Sequence, residues 1–268
     1  MNWNIVLLAL GLMGLLGAAF GIVLSIADKK FYVETDARVE QVRAALAGAN
    51  CGACGFAGCD ALAAAIVAGE AKANACAPAG ANGAGQIAEI MGVNVAVGDT
   101  LVARVRCHGA HDVVKPRYPY EGYQSCAMAA SLAGGPKACR YSCLGFGDCE
   151  RACAFGAIEM RDGIAKINPA KCMSCGQCVA ACPRNVIALL ATDDAAFVAC
   201  QNHDAGKAAR AACAKACIAC GRCAKACISG AVTVQNLCAV VDQATCTRCG
   251  ACVRTCPTGC IEGRIAKQ

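Results

Sequence analysis

The chain opens on an uninterrupted apolar run. From Ile5 to Ala27 there are 23 residues without a charge, and Ser25 is the one hydroxyl. As a helix rising 1.5 Å per residue, this run reaches about 35 Å, enough to cross a bilayer's hydrocarbon core. A secretory signal wants a basic start and a shorter apolar stretch, whereas Met1-Asn2-Trp3-Asn4 has no basic side chain. Residues 1–30 therefore read as an uncleaved transmembrane anchor. Lys29 and Lys30 follow the span directly, which by the positive-inside rule places the N-terminus outside and everything after it in the cytoplasm. Trp3 and Phe31-Tyr32 suit the two membrane interfaces. Gly11, Gly14, Gly17 and Gly21 recur at helical spacing. They form either a face for partner helices or the ordinary glycine content of such a helix, and the spacing leaves both open.

Beyond the anchor, elements are short and long apolar stretches are absent. An Ala-rich helical stretch runs from Asp60 to about Glu70, and Gln86–Met91 also reads as helix. Leu101–Cys107 reads as a strand, and Lys115–Tyr123 as a loop holding Pro116 and Pro119. The segment FGAIEMRDGIAKINPAKC reads as strand, Asp-Gly turn and strand. Such elements need something other than apolar packing to hold them. Composition supplies it: 26 cysteines in 268 residues, against five Tyr, six Phe and one Trp. Domains this short of core rely on disulfides or on metal. Disulfide frameworks belong to secreted chains, while tight repeated spacings in a cytoplasmic domain point to metal.

The spacings are of the second kind. The first group is Cys51-x2-Cys54-x4-Cys59-x16-Cys76, with Gly52, Gly55 and Gly58 letting the backbone wrap a bulky ligand. Four thiolates interleaved with glycine suit a cubane cluster, whereas zinc usually takes two CxxC pairs and here there is one. Next, Cys172-x2-Cys175-x2-Cys178-x3-Cys182-Pro183 is the bacterial ferredoxin run, whose fourth cysteine ligates the neighbouring cluster. Its neighbour is a stretched version, Cys139-x3-Cys143-x5-Cys149-x3-Cys153. Crossing the two predicts one [4Fe-4S] cluster on Cys139, Cys143, Cys149 and Cys182, and another on Cys153, Cys172, Cys175 and Cys178. The theme then repeats as Cys217-x2-Cys220-x2-Cys223-x3-Cys227 and Cys246-x2-Cys249-x2-Cys252-x3-Cys256-Pro257. That repeat predicts clusters on Cys217, Cys220, Cys223, Cys256 and on Cys227, Cys246, Cys249, Cys252. Three copies of the tight run leave little room for chance or for zinc. Ala154 and Ile228 stand where such runs often have proline, which predicts altered local shape without loss of a cluster.

Cys107, Cys126, Cys200, Cys213, Cys238 and Cys260 fall outside these spacings and read as structural thiols, although Cys200 and Cys213 flank a His203–Lys207 loop that could hold a ligand. His108 and His111 read as surface residues. The formal net charge is +6, but five clusters of about −2 each would bring the filled protein to about −4, so the apparent basicity argues for no nucleic-acid partner. No GxGxxG follows a strand, so neither a flavin nor a nicotinamide site is expected. One-electron relay needs no acid, base or nucleophile, and no catalytic side chain is expected.

With these motifs in hand, the chain resembles the RnfB family, the B-type component of Rnf electron-transport complexes, in its long form. The resemblance rests on the apolar anchor, on GANCGACGFAGC, and on GGPKACRYSCLGFGDCERAC leading into the duplicated ferredoxin part. It implies the redox component of an ion-translocating ferredoxin:NAD oxidoreductase, with other Rnf subunits as membrane partners and soluble ferredoxin as electron donor. A reductase for a redox-sensing transcription factor, or an electron feeder to a hydrogenase or nitrogenase, are the alternatives it leaves. The expected fold class is α+β: an anchor (1–30), a four-cysteine domain (31–92), a connecting region (93–138) and two 2[4Fe-4S] ferredoxin modules (139–195 and 196–268). Between Lys207 and Arg254 the last module carries seven basic residues and one acid, Asp242, a charge pattern suited to steering an acidic ferredoxin.

Overall fold

A computed structural model describes residues 3–30, 36–95, 101–191 and 195–263; the Phe31-Tyr32 interface pair lies outside the described residues. The apolar run is one continuous helix, α1 (Trp3–Lys30), with Lys29 and Lys30 in its last turn. Its described side chains project into open space, Leu8 being 73% exposed, as a helix whose solvent is lipid would be. Nothing lies within 4 Å of a Cβ built at Gly11, Gly14, Gly17 or Gly21, so the glycine ridge is open.

Three helices build the next unit: α2 (Ala37–Ala45), α3 (Cys59–Val67) and α4 (Gly80–Met91), the last preceded by a 3-10 turn at Ala77–Ala79. Asp36 caps α2, its carboxylate accepting from the Arg38 amide at 2.9 Å. Val42, Leu62, Ile66 and Ile87 close the core between the helices, none more than 2% exposed. Gly83 permits the α2–α4 approach, since a Cβ there would stand 2.8 Å from the Ala45 carbonyl oxygen. The α3 helix ends at Val67 and α4 begins six residues before the predicted Gln86 start, because alanine and glycine carry little periodicity.

The remainder is made of short pieces: β1 (Leu101–Val105), α5 (Cys126–Ser131), α6 (Asp148–Arg151), β2 (Ile158–Arg161), β3 (Ile164–Ile167), α7 (Gln177–Ala180) and β4 (Ile187–Ala191), followed by β5 (Phe197–Val198), α8 (Gly206–Ala212), α9 (Arg222–Ala226), β6 (Val232–Gln235), β7 (Cys238–Val241), α10 (Ala251–Thr255) and β8 (Ile261–Glu262). Among the described residues all sheets are two-stranded and antiparallel: β1–β4, β2–β3, β5–β8 and β6–β7. Two strands alone are marginal in water. The predicted Asp-Gly hairpin is β2–β3, with Asp162 and Gly163 at φ of 50° and 73°, the primed turn that a right-twisted ribbon prefers. The β1 strand comes from the predicted connecting region and pairs with β4 in register Leu101↔Ala191 to Val105↔Ile187.

One local unit recurs four times. A left-handed glycine (Gly147, Gly176, Gly221, Gly250) opens a short helix carrying Cys149, Cys178, Cys223 or Cys252. Four residues later comes Cys153, Cys182, Cys227 or Cys256, and its carbonyl accepts from the amide of a left-handed residue three further on. The next strand then begins at Ile158, Ile187, Val232 or Ile261. Ala154 and Ile228 do not alter this turn. Gly156 N to Cys153 O and Gly230 N to Cys227 O are both 3.3 Å, the same as Gly259 N to Cys256 O where Pro257 is present. The expected change of local shape is thus corrected. The turn depends on the left-handed residue and not on proline's fixed φ.

Gly145 (φ +89°) lets the Cys143–Cys149 loop lie directly on the β2–β3 turn, because a Cβ there would run into the Gly163 carbonyl. Gly145→Ala should therefore lower stability by more than about 1 kcal/mol, read as a lower urea midpoint under anaerobic conditions; an unchanged midpoint would contradict that packing.

Candidate metal centres

Fourteen of the 26 cysteines are buried, while Phe197 is the single buried aromatic among the described residues. Thiols share the core with small aliphatic side chains, and they gather in sets. Cys217, Cys220, Cys223 and Cys256 line a cavity of about 320 Å³, together with Cys260. Cys153, Cys172, Cys175 and Cys178 line another of about 330 Å³. Each set combines three cysteines of one run with the fourth of its neighbour. In both tight runs the second residue of the CxxC loop is left-handed, Ser174 at φ 56° and Ala219 at 54°; Arg248 does the same at 59° in the last run. That conformation turns the loop around whatever the sulfurs hold. Cys252 has Cys246 and Cys227 as its charged neighbours, and Cys249 has Cys227, so the fourth run closes on its partner likewise.

In the helical unit, Cys59 and Cys76 are buried with Cys54 packed against the same core, and Asn50 Oδ1 accepts from the Cys59 amide at 2.8 Å. Cys51 lies at the edge of that unit. The Gln177 side chain donates to its carbonyl at 2.9 Å, and Cys51 is also an electrostatic neighbour of Cys175. The first cysteine group therefore abuts the Cys153–Cys178 cavity.

Of the predicted set of Cys139, Cys143, Cys149 and Cys182, the last three share one core and Cys139 packs in another. Around Cys149 stand Cys143, Cys126 and Cys182, with Cys178 beyond. Cys126 is held there because Asp148 Oδ2 accepts from Ser125 Oγ and from the Ala127 amide, both at 3.0 Å. Cys139 belongs to a different core, with Cys200, Cys213 and Cys217. Spacing could not reveal this: a three-residue gap after Cys139 resembles the spacing inside a run, but here it separates two packed cores.

The chemistry of these sets suits multi-iron clusters. Among the described residues, no three His, Cys, Asp or Glu side chains converge at the distance of a single ion, as a tetrahedral zinc with Zn–S near about 2.3 Å would require. The Cys153, Cys172, Cys175 and Cys178 sulfurs line an open cavity instead, and backbone amides aim at them: Ala103 N to Cys172 Sγ and Ala157 N to Cys153 Sγ are both 3.4 Å. Such bonds stabilise sulfur charge and tune a cluster. Burial pushes the Cys149 thiol up to about 12, with Cys143, Cys126, Cys182 and Cys178 adding to it. Burial likewise pushes Cys178 and Cys223 up to about 11. Thiols so placed ionise together only when iron supplies the positive charge.

Cys238 and Cys260 are each 1% exposed and remain outside the sets as hydrogen-bond donors. Cys238 Sγ donates to the Cys200 carbonyl at 3.4 Å, and Cys260 Sγ lies 3.6 Å from Cys256 Sγ. Hydrogen bonds to the sulfurs of Cys200 and Cys217 hold the Cys238 proton on, and one to Cys217 does so for Cys260. His111 is exposed. His108 is not the surface residue expected: its Nε2 sits 3.2 Å from Glu262 of β8, and burial lowers its affinity for a proton.

Three family models match separate stretches of the chain. One described as "Putative Fe-S cluster" matches residues 46–78, a 4Fe-4S dicluster domain matches 138–186, and a 4Fe-4S binding domain matches 239–262. Among whole proteins, the chain is 48% identical over 263 residues to the B component of the Na(+)-translocating ferredoxin:NAD(+) oxidoreductase complex of Acetobacterium woodii, covering 98% of this chain and 79% of that protein. The chain belongs to the RnfB family. It is also 40% identical over 229 residues to the B component of the ion-translocating oxidoreductase complex of Methanosarcina acetivorans, covering 85% of this chain and 87% of that one. Against the B component of the proton-translocating ferredoxin:NAD(+) oxidoreductase complex of Clostridium ljungdahlii it is 40% identical over 243 residues, 90% and 86% of the two chains. This member of the RnfB family carries an N-terminal apolar helix and 4Fe-4S ferredoxin-type domains.

Because thiols replace apolar side chains in this core, chelating the iron anaerobically should remove most fixed tertiary structure from residues 101–263, read as loss of near-UV circular dichroism and of hydrogen-exchange protection in the hairpins. The α2–α4 unit, with its own aliphatic core, should lose less. Hairpins that stay protected after iron removal would contradict the metal-built core.

Proposed function

We propose that this chain is the membrane-anchored electron relay of an ion-translocating ferredoxin:NAD oxidoreductase complex, accepting electrons from reduced ferredoxin and delivering them to partner subunits in the membrane. Each bound [4Fe-4S] cluster supplies a one-electron couple, and the chain's own residues set where each cluster sits, what surrounds it and who reaches it. The orientation that fits has the N-terminus outside and the cysteine-rich domains in the cytoplasm, since Lys29 and Lys30 close the helix on that side.

The observation that carries the reading is where the surface opens onto cluster ligands. Cys220 and Cys249 are the exposed cysteines of the chain, and both belong to the second module. In the same module Lys207, Arg210, Lys215, Arg222, Lys225, Arg248 and Arg254 are all exposed. Arg222 and Lys225 lie on α9, one residue before and two residues after the ligand candidate Cys223. Apolar side chains stand among them in the sequence, with Ile228 96% exposed and Leu237 47%. Exposed basic and apolar side chains on a cluster-bearing module favour fast, weak encounter with an acidic electron carrier. At the other end, the contact of Cys51 with the Cys175 loop offers a path from the first module to the membrane-proximal unit. The seven charges also offset two anionic clusters, but that role alone does not require them to be exposed beside the ligands.

Arg222→Glu with Lys225→Glu should slow reduction by ferredoxin by about tenfold or more at low ionic strength, with the difference shrinking as salt rises. Reduction by dithionite, which needs no docking, should keep its rate. An unchanged ferredoxin rate would remove the docking face.

A further inference from the structure

Cys107, Cys139, Cys200 and Cys213 line one further cavity, of about 290 Å³. No spacing motif unites them: they lie on four separate segments, two leading into each ferredoxin module. Their arrangement repeats between the modules. Cys107 follows β1 by two residues and Cys200 follows β5 by two. Cys139 precedes Cys143 by four residues, and Cys213 precedes Cys217 by four.

The hydrogen bonds onto the four sulfurs repeat in the same way. Cys107 Sγ accepts from the amide two residues on, Gly109 at 3.2 Å, and from Cys143 N at 3.4 Å. Cys200 Sγ accepts from the amide two residues on, Asn202 at 3.5 Å, and from Cys217 N at 3.3 Å. Cys139 receives the Tyr141 amide, and Cys213 the Lys215 amide, again two residues on. Asn202 Nδ2 adds a side-chain donor to Cys139 Sγ at 3.4 Å. Each sulfur thus has at least one amide aimed at it, a polar arrangement that stray buried thiols do not need and that cluster thiolates do.

We infer that Cys107, Cys139, Cys200 and Cys213 hold a further [4Fe-4S] cluster at a pseudo-twofold junction between the two ferredoxin modules. Like the two ferredoxin-type cavities, this cavity is lined by cysteines of separate segments, and its thiols do not converge as a single ion would need. Cys126 takes the place Cys139 leaves, beside Cys143, Cys149 and Cys182, so the total becomes six four-cysteine sets. Lys137 supports the crowding. It is 6% exposed, donates to the Gly109 and Gly163 carbonyls at 2.7 Å each, and stands among Cys143, Cys107, Cys126 and Cys213. It is a buried cation between this set and the Cys126 set.

The junction orders the relay. The Cys200 sulfur is bonded by the amide of Cys217, a ligand candidate of the second module, and the Cys107 sulfur by the amide of Cys143 in the first. With clusters bound, an electron leaving the Cys217 set would reduce the junction and reoxidise its source, and the junction would in turn reduce the Cys143 set. The two modules then work in series, with reduced ferredoxin as the reductant. That role rests on the function proposed above; the existence of the site does not.

The test is metal analysis of the full-length chain in detergent, prepared anaerobically, with EPR after dithionite. The wild type should hold about 24 iron and 24 sulfide per chain, six clusters of four. Cys107→Ser with Cys200→Ser should lose about four of each, while Cys238→Ala, beside the site but outside the set, should lose none. A wild type at about 20 iron, one zinc per chain in place of four iron, or a double variant with undiminished iron would overturn the site. If the double variant does not accumulate, the wild-type count decides alone. Since no ferredoxin enters this measurement, failure of the docking face leaves its outcome unchanged. A confirmed site whose double variant still passes electrons from ferredoxin to the first module would overturn the series order.

Discussion

The organisation of this RnfB chain depends on thiolates taking the place of an apolar core. Beyond the anchor, its described residues hold one buried aromatic and four sheets of two strands each, and fragments of that size do not hold themselves together in water. Four sulfurs around one cluster tie together segments far apart in sequence, and each tie fixes backbone that hydrophobic contact would leave loose. Folding and cofactor loading are therefore one event in this region. The helical α2–α4 unit is the contrast, closing on Val42, Leu62, Ile66 and Ile87 as an ordinary small core does.

Packing clusters this densely creates an electrostatic problem, and the chain handles it in two ways. Inside, amides and one buried lysine face the sulfurs, so that negative charge is met by dipoles and by Lys137 and not by water. Outside, the stretch from Lys207 to Arg254 wears seven exposed cations against one acid. In the function proposed here, the same surface that balances the clusters would attract an acidic electron carrier, so that one set of residues would serve both.

The duplicated module also shows what a repeat can build at its own boundary. Copying a ferredoxin unit copies the cysteines that stand just outside its ligand runs, at Cys107 and Cys200 and again at Cys139 and Cys213. One copy alone has two such thiols, too few for a four-iron cluster. Two copies brought together have four. A feature that reads as leftover in either module becomes a complete donor set when the modules meet.

Much of this was legible in the residues. The anchor follows from an uncharged run long enough to span a bilayer, and the tight ferredoxin runs follow because the ligands of one loop are set by backbone geometry over a few residues. The crossing of the fourth cysteine followed from the paired ferredoxin runs, since the turn after each such cysteine leads into a strand but does not choose its partner. The Asp162-Gly163 hairpin was readable because its turn is local. What spacing could not determine was which distant segments meet. Cys126 is brought to Cys149 by the Asp148 carboxylate of α6, which accepts from Ser125 and Ala127 at the start of α5, and β1 reaches β4 across some eighty residues. Cys139 is turned away from Cys143 into a cavity lined by three cysteines of other segments. Those choices depend on how the modules pack, a property of long-range contact that leaves no periodicity or short motif along the chain.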